Sequence, residues 1–425
     1  MTKPIPAAER PSCLWLTRFY PYPTHAGDKI YTARLIEALA AQDCMVAVLC
    51  SLDVAGAPPP LDDAAQHVEW MWTAPSGFGR MWAYPVSSLP RQAFALSDST
   101  QRAEVERLLR RQSWSVIVID SATMGWVLPQ IETLWPDRAK RPPLIYLSHN
   151  HEASLRRTAA RESSGSLLKR LALRVDAGRV AALEARLLAA ADLVTVNTQA
   201  DQRLFEKDEP NQRYEALVPG YDGPVAEERL LTTDTPRRVV VVGSFGWLVK
   251  RQNLCEFLEA AAAPLAARGI GIDIVGSGPT GFLDRLRRRF PQASIHGQVA
   301  RVEPYLAAAR ISVVPERVGG GFKHKVLNAV FQRIPIFALS ESITELPLDD
   351  GQSVRLCPGF HELVAAIIAE IDDLERLNSL QRSAFAACAG RFDWGDRGRR
   401  LRMAINHLIA TAPGDGCRPT ITEAR

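Results

Sequence analysis

Short apolar runs alternate with longer amphipathic stretches along the whole chain. Runs of strand length stand at residues 13–20 (CLWLTRFY), 45–50 (MVAVLC), 115–120 (SVIVID), 143–148 (PLIYLS) and 191–198 (ADLVTVNT). Helical patterns such as KIYTARLIEALAAQ separate them. Continuous apolar strands alternating with helices predict βα units and a parallel sheet covered on both faces. The pattern pauses at residues 218–238, VPGYDGPVAEERLLTTDTPRR, where Pro, Gly, Asp and Thr cluster and a linker is expected. A second series follows, with strands at 239–244, 270–277, 293–297, 311–315, 334–339 and 353–357. The predicted fold class is α/β, with two doubly wound, Rossmann-like domains facing a central cleft. Ligands are then expected at the C-terminal edges of the strands.

Composition narrows this picture only slightly. The chain has 425 residues, 47% hydrophobic and 23% charged, enough for two cores. A formal net charge of +4 does not by itself indicate nucleic acid, and it suits an anionic small ligand. The seven cysteines are an odd number without a CxxC pair, so they read as reduced thiols rather than a disulfide framework or a zinc site. The first residues lack a signal-peptide pattern, and no run of about 18 apolar residues occurs. The expected location is cytoplasmic, at or near the inner membrane surface.

Candidate chemistry gathers in a few stretches. Gly319, Gly320 and Gly321 precede a helical pattern in which Phe322, Val326, Ala329 and Val330 share one face. His324, Lys325, Asn328 and Gln332 form an adjoining polar stripe. Glycines ahead of a helix N-terminus let an anion reach backbone N–H groups, although a plain turn before an amphipathic helix fits the stretch as well. VGSFGWLVKRQN (242–253) ends a strand at Ser244 and then offers Lys250 and Arg251, which alone also fit a surface cation pair. Gly276 belongs to a short Gly-x-Gly that is weak as a dinucleotide signal. HNHE (149–152) invites a metal site, but neighbouring residues cannot all converge and no distant ligand pattern completes it, so no metal is expected. Residues 166–191 mix leucines with Lys169, Arg170, Arg174, Arg179 and Arg186. They fit either a helix covering a sheet or a docking surface for an anionic membrane.

Taken together, these stretches resemble the family 4 group of GT-B glycosyltransferases, in the branch with GS-aromatic-x-W and GGG-x-x-x-K motifs. The likeness covers most of the chain. It includes YPYPTHAGDKIYTARLIEALA, YLSHNHEASLRR, LEARLLAAADLVTVNTQAD, VVVVGSFGWLVKRQNLCEFL, IDIVGSGP, HGQV, the GGG stretch and GRFDWGDRGRRL. The resemblance implies an acceptor domain at 1–220, a nucleotide-sugar donor domain at 221–395, and at 396–425 a helix returning to the first domain plus a tail. It implies transfer with retention of configuration and without a metal or cofactor, since protein cations and helix ends neutralise the departing diphosphate. The partners implied are a nucleotide-sugar donor and a glycan or lipid-linked acceptor in cell-surface glycan synthesis, with no nucleic acid.

By position, His149 is expected to meet the sugar or transition state, and Lys250 the diphosphate, with Lys325 as a second candidate. Gly27, Ser244, Gly319, Gly320, Gly321 and Phe322 are expected along the donor, and Gly276, His296, Gln298 and Val299 beside the base. Many family members place two glutamates eight positions apart, where this chain has Gly320 and Asn328, so ribose recognition is expected to differ. Arg333 stands where a small residue is common. The alternatives are a non-catalytic nucleotide-sugar-binding or scaffold relative and a sugar-nucleotide epimerase. The epimerase needs a set of carboxylates and histidines that this sequence does not supply.

Overall fold

A computed structural model of the protein describes residues 10–24, 26–52, 65–74, 78–162, 166–317, 322–343 and 345–411. The chain forms two compact units, one of Met1–Leu217 with Trp394–Arg425 and one of Val218–Asp393. Gly319, Gly320 and Gly321 lie outside the described residues.

The first unit holds β1 (Ser12–Thr17), β2 (Met45–Ser51), β3 (Glu69–Thr73), β4 (Val116–Asp120), β5 (Leu144–Leu147), β6 (Leu193–Val196) and β7 (Tyr214–Ala216). All neighbours pair in parallel, in the order β3-β2-β1-β4-β5-β6-β7. Successive side chains of a strand point to opposite faces. Accordingly Leu14, Leu16, Ile117 and Ile119 enter one apolar cluster, and Cys13, Trp15, Val116 and Val118 the other. Both faces are therefore dry, which is why these strands read as unbroken apolar runs. The two edge strands, EWMWT and YEA, escaped the sequence reading. They are only partly buried, so they carry no continuous apolar signal.

The second unit holds β8 (Arg238–Val242), β9 (Gly271–Val275), β10 (Ala293–Gly297), β11 (Ile311–Val314), β12 (Ile336–Leu339) and β13 (Arg355–Cys357). Their parallel order is β10-β9-β8-β11-β12-β13. The α/β class with two Rossmann-like sheets is thus as expected. Each sheet reverses its strand order once, between β1 and β4 and between β8 and β11.

Two expectations need correction. Residues 218–237 are not a free linker, because they pack onto the second unit. Arg229 donates to the carbonyls of Leu306, Ala307 and Ala309, and Leu231 is buried in the core with its backbone held by Asn378. The polar composition hid Leu231, the Val218 and Tyr221 side chains packed on the core, and a guanidinium that bonds three carbonyls. The helix after the glycines is also shorter than its pattern, running from His324 to Phe331. Lys323 is non-helical at φ −98° and ψ 76°, because its ammonium is tied to Glu316 and the neighbouring Phe322 ring packs against Phe392. Arg333, just beyond that helix, adopts φ +54°. The guanidinium sits 3.7 Å from the Phe385 ring centroid, and its Nε donates to the Ala226 carbonyl. Those contacts offset the strain that a smaller residue would avoid.

The helix Trp394–Thr411 lies on the helix Gly27–Ala40 of the first unit, burying Leu401, Ile405 and Leu408 with Leu35, Ile36 and Leu39. Close approach occurs at Gly398, where a Cβ would stand 2.2 Å from the Ala38 carbonyl oxygen. Gly398→Ala gains about 1 kcal/mol of helix propensity but overpacks the contact at a cost of about 1–3 kcal/mol. A net loss of stability is expected in urea unfolding, and a gain would refute this account of the packing.

Candidate functional site

In the first unit, β4 ends in Asp120, a carboxylate 1% exposed at the strand reversal. Burial alone would push this acid up. The His149 ring, the Trp15 indole and the Thr32 hydroxyl overcome that and hold it below the usual carboxylate range. Trp15 Nε1 and Thr32 Oγ1 donate to Asp120 Oδ2 at 3.0 and 2.9 Å. His149 Nε2 lies 2.5 Å from Asp120 Oδ1. In a neutral imidazole that contact fixes the proton on Nε2 and leaves Nδ1 as an acceptor. Tyr31 stacks edge-on to the His149 ring at 5.4 Å and is itself anchored through its hydroxyl to the Leu217 carbonyl. Ser121, immediately after Asp120, has φ +81°. The sequence reading singled out His149 and missed Asp120. The available signal was a charged residue closing the otherwise apolar run SVIVID.

Gly27 is exposed at the first position of the helix Gly27–Ala40, which carries Tyr31 and Thr32. His151 has a different task from His149. Its Nε2 lies 3.1 Å from Asp208 Oδ2, and its Nδ1 accepts from the Ser154 amide. No group of three His, Cys, Asp or Glu side chains suited to a metal ion occurs among the described residues.

In the second unit, the loops after β8, β9 and β10 knit together at one sheet edge. Gly243 N–H donates to Val275 and Phe245 N–H to Ser277, while Gly276 N–H donates to Gly297. The Ser277 hydroxyl reaches Ser244 Oγ at 3.4 Å. Gly276 has φ +143°, and a Cβ there would fall 1.6 Å from the Gly243 carbonyl oxygen. Only glycine lets these two turns touch. Ser244 and Gln298 are exposed beside them, and Val299 packs against the apolar cluster below. His296 does not stand free at this edge. Its Nε2 lies 2.7 Å from Asp273 Oδ1, which also binds Arg238, and its ring packs on Tyr305.

The charged part of this edge lies at the β8–β11 reversal. Lys250 is half-buried in the first turn of the helix Leu248–Ala266 and makes no ion pair among the described residues. Across the reversal, the Glu316 carboxylate binds Lys325 through Oε1 and lies 3.1 Å from Lys323 through Oε2. Burial would raise the Glu316 pKa, but Lys325 and Lys323, with Lys250 farther off, bring it down to about 2. Burial pushes Lys325 down to about 8, with Glu316 opposing that shift and Lys323 and Lys250 adding to it. The structure thus brings Lys250 and Lys325 into one electrostatic cluster. Asn328 is apart from it, its Oδ1 accepting from the Tyr221 hydroxyl at 2.9 Å. Phe322 packs edge-on to His324, whose burial lowers it to about 4.

Comparison with known proteins accords with this architecture. Residues 27–220 match the Glycosyl transferase 4-like domain and residues 236–373 match Glycosyl transferases group 1. The chain is a family 4-like GT-B glycosyltransferase. Sucrose-phosphate synthase from Thermosynechococcus elongatus superposes on the enzyme with a TM-score of 0.72 at 18% identity, over 94% of this chain and 100% of that one. WaaG, a glycosyltransferase involved in lipopolysaccharide biosynthesis, gives 0.63 at 15% identity over 92% and 99%. HepE from Anabaena, solved with UDP and glucose, gives 0.62 at 14% identity over 94% and 100%. At such identities the likeness is one of fold. No curated protein sequence matches the enzyme.

A second buried acid supports the first unit's edge from behind. Glu184 accepts from Tyr146 Oη and from the amides of Glu152 and Ala153 at the start of the helix after His149. Burial pushes it up to about 7 against those stabilising bonds. A carboxyl raised on folding favours the folded state at low pH, and that contribution is lost as pH rises through about 7. Glu184→Gln removes this titration, so the fall in melting temperature between about pH 5 and about pH 8 should be smaller in the variant. Parallel pH profiles for the two proteins would refute the assignment.

Proposed function

We propose that the enzyme moves a sugar, with retention and without a metal, from a nucleotide-diphosphate donor to a glycan or lipid-linked acceptor of cell-surface glycan synthesis. The donor belongs to the second unit and the acceptor to the first. The observation that carries this reading is the lysine cluster at the β8–β11 reversal, beside turns where Gly276 keeps the backbone bare. A departing diphosphate gathers negative charge in the transition state, and preorganised ammonium groups stabilise it there. Lys250 lacks an ion-pair partner among the described residues and is assigned to the diphosphate. Gly27, Ser244, Phe322 and the glycines 319–321 are assigned along the donor, with Gly276, His296, Gln298 and Val299 flanking the base. His149, held by Asp120, is assigned to the sugar or transition state.

Asn328 gives a donor-binding relative without transfer as the competing reading. Its carbonyl is engaged by Tyr221, leaving an –NH2 where the family commonly offers a carboxylate. Assays with UDP-, GDP-, ADP- and dTDP-sugars separate the two, since donor binding without transfer or hydrolysis would sink the enzymatic reading. Lys250→Ala should lower kcat about 10²–10³-fold in those assays, and chelator should leave the rate unchanged.

A peripheral membrane contact is part of the proposal. Among the described residues no helix is long and apolar enough to cross a membrane. The start of the helix Leu167–Ala190 nevertheless exposes Leu167 at 80% and Leu168 at 79%, interleaved with Lys169, Arg170 and Arg174. Exposed Trp82 and Val86 lie in the segment Phe78–Val86, which is tied to this helix by Tyr84 on Asp176 and Arg179 on Pro85. Leucines beside cations suit the headgroup boundary of an anionic bilayer, with roughly 1 kcal/mol from each basic residue. The enzyme should float with phosphatidylglycerol vesicles at low salt, and Leu167→Glu with Leu168→Glu should abolish this. Absence of flotation by the native protein would remove the membrane from the proposal.

A further inference from the structure

The loop that leaves β11 begins with a side chain that no sequence motif singled out. Glu316 is 7% exposed, and its backbone is clamped by Ser342, itself 1% exposed. The Ser342 hydroxyl donates to the Glu316 carbonyl at 2.6 Å and accepts from its amide at 3.3 Å. The carboxylate is therefore placed by the fold rather than by its lysine partners. It meets Lys325 in a direct hydrogen bond and Lys323 in an ion pair, while among the described residues Oε2 has no aligned hydrogen-bond donor.

Two largely covered ammonium groups, Lys323 and Lys325, with the charge of Lys250 also acting on Lys325, would be costly without a counter-charge. Glu316 supplies a carboxylate that Lys323 and Lys325 share. We propose that Glu316 is a positioning residue for donor binding, which holds Lys323 and Lys325 at the edge as ammonium groups available to a diphosphate. This rests on the reading that the second unit holds the donor.

The charged groups acting on Lys325 are Glu316 from the loop after β11, Lys323 from its own segment and Lys250 from the helix Leu248–Ala266. Glu316 is the only one of these that favours the protonated form. Removing its charge leaves a covered ammonium beside two others, so Lys325 should lose its proton at lower pH. A carboxylate whose charge did not act on Lys325 would not move this titration.

The test uses the full chain with ε-¹³C-labelled lysine. Eight lysines in the sequence make individual signals assignable by substitution. In the native protein Lys325 should titrate near pH 8, and in Glu316→Gln its midpoint should fall by about one pH unit or more. Glu316→Asp, whose carboxylate is retained but withdrawn, should fall between them, and it carries the test if the glutamine variant does not fold. Calorimetry with UDP, GDP, ADP and inorganic pyrophosphate is the second arm. In buffers of different ionisation enthalpy at about pH 8, the glutamine variant should take up more protons per diphosphate bound than the native protein, because Lys325 must be reprotonated, with the aspartate variant between them. An unchanged Lys325 midpoint overturns the proposal. So does a proton uptake on diphosphate binding that is equal in Glu316→Gln and the native protein. If the native protein binds none of these anions while the Lys325 midpoint still shifts, the donor reading fails and the charge-setting role of Glu316 stands.

Discussion

A carboxylate taken out of water must be met by charge or by hydrogen-bond donors, or it gives up its own charge. Both sheets of this glycosyltransferase bury one beside the reversal of strand order. In the first, Asp120 is met by Trp15, Thr32 and His149. In the second, Glu316 is met by Lys323 and Lys325. The partners have little choice of position, because each carboxylate is fixed by buried backbone. The orientation of the histidine and the placement of two lysines follow from that requirement.

The parallel sheet explains why the carboxylates sit where they do. Within a strand both faces are covered and the backbone is satisfied by its neighbours, so a charged side chain there needs its own partners, as Asp273 in β9 has in Arg238 and His296. At the C-terminal end the ladder stops and adjacent loops part at the reversal. Asp120 is the last residue of β4 and Glu316 comes two residues after β11 ends. Glu184 shows the other outcome. Among the described residues it is met only by neutral donors, and its charge is correspondingly harder to keep.

Cations at the second edge differ in how they are held, and the difference matters for chemistry. Lys325 is covered and paired, so its charge depends on a neighbour. Lys250 has no ion pair among the described residues and is free to meet a ligand. Asn328, which the sequence marks as a departure from the family pattern, is engaged with Tyr221 rather than with this cluster. Its individuality therefore concerns hydrogen-bond polarity toward a hydroxyl group, separate from the charge balance at the reversal.

The order of strands and helices was legible in the chain because a sheet buried on both faces demands unbroken apolar runs, and β1, β2, β4, β5, β8 and β12 carry them. The edge strands β3 and β7 were not, since one-sided burial leaves no such run. Neither was the packing of residues 218–237, where Val218, Tyr221, Leu231 and Arg229 outweigh a polar composition. Among site residues, His149, Lys250 and Lys325 stood out through their motifs. Asp120 and Glu316 did not, because a single acid in a sequence has no period or spacing to mark it. Their importance arises only when strands distant in the chain become neighbours, so that Trp15 and His149 reach Asp120, and Ser342 reaches the backbone of Glu316. Sequence by itself determined the alternation of elements and the residue types that could bind an anion. Tertiary structure alone decided which of those charges are paired, because pairing depends on burial and on contacts between segments far apart along the chain.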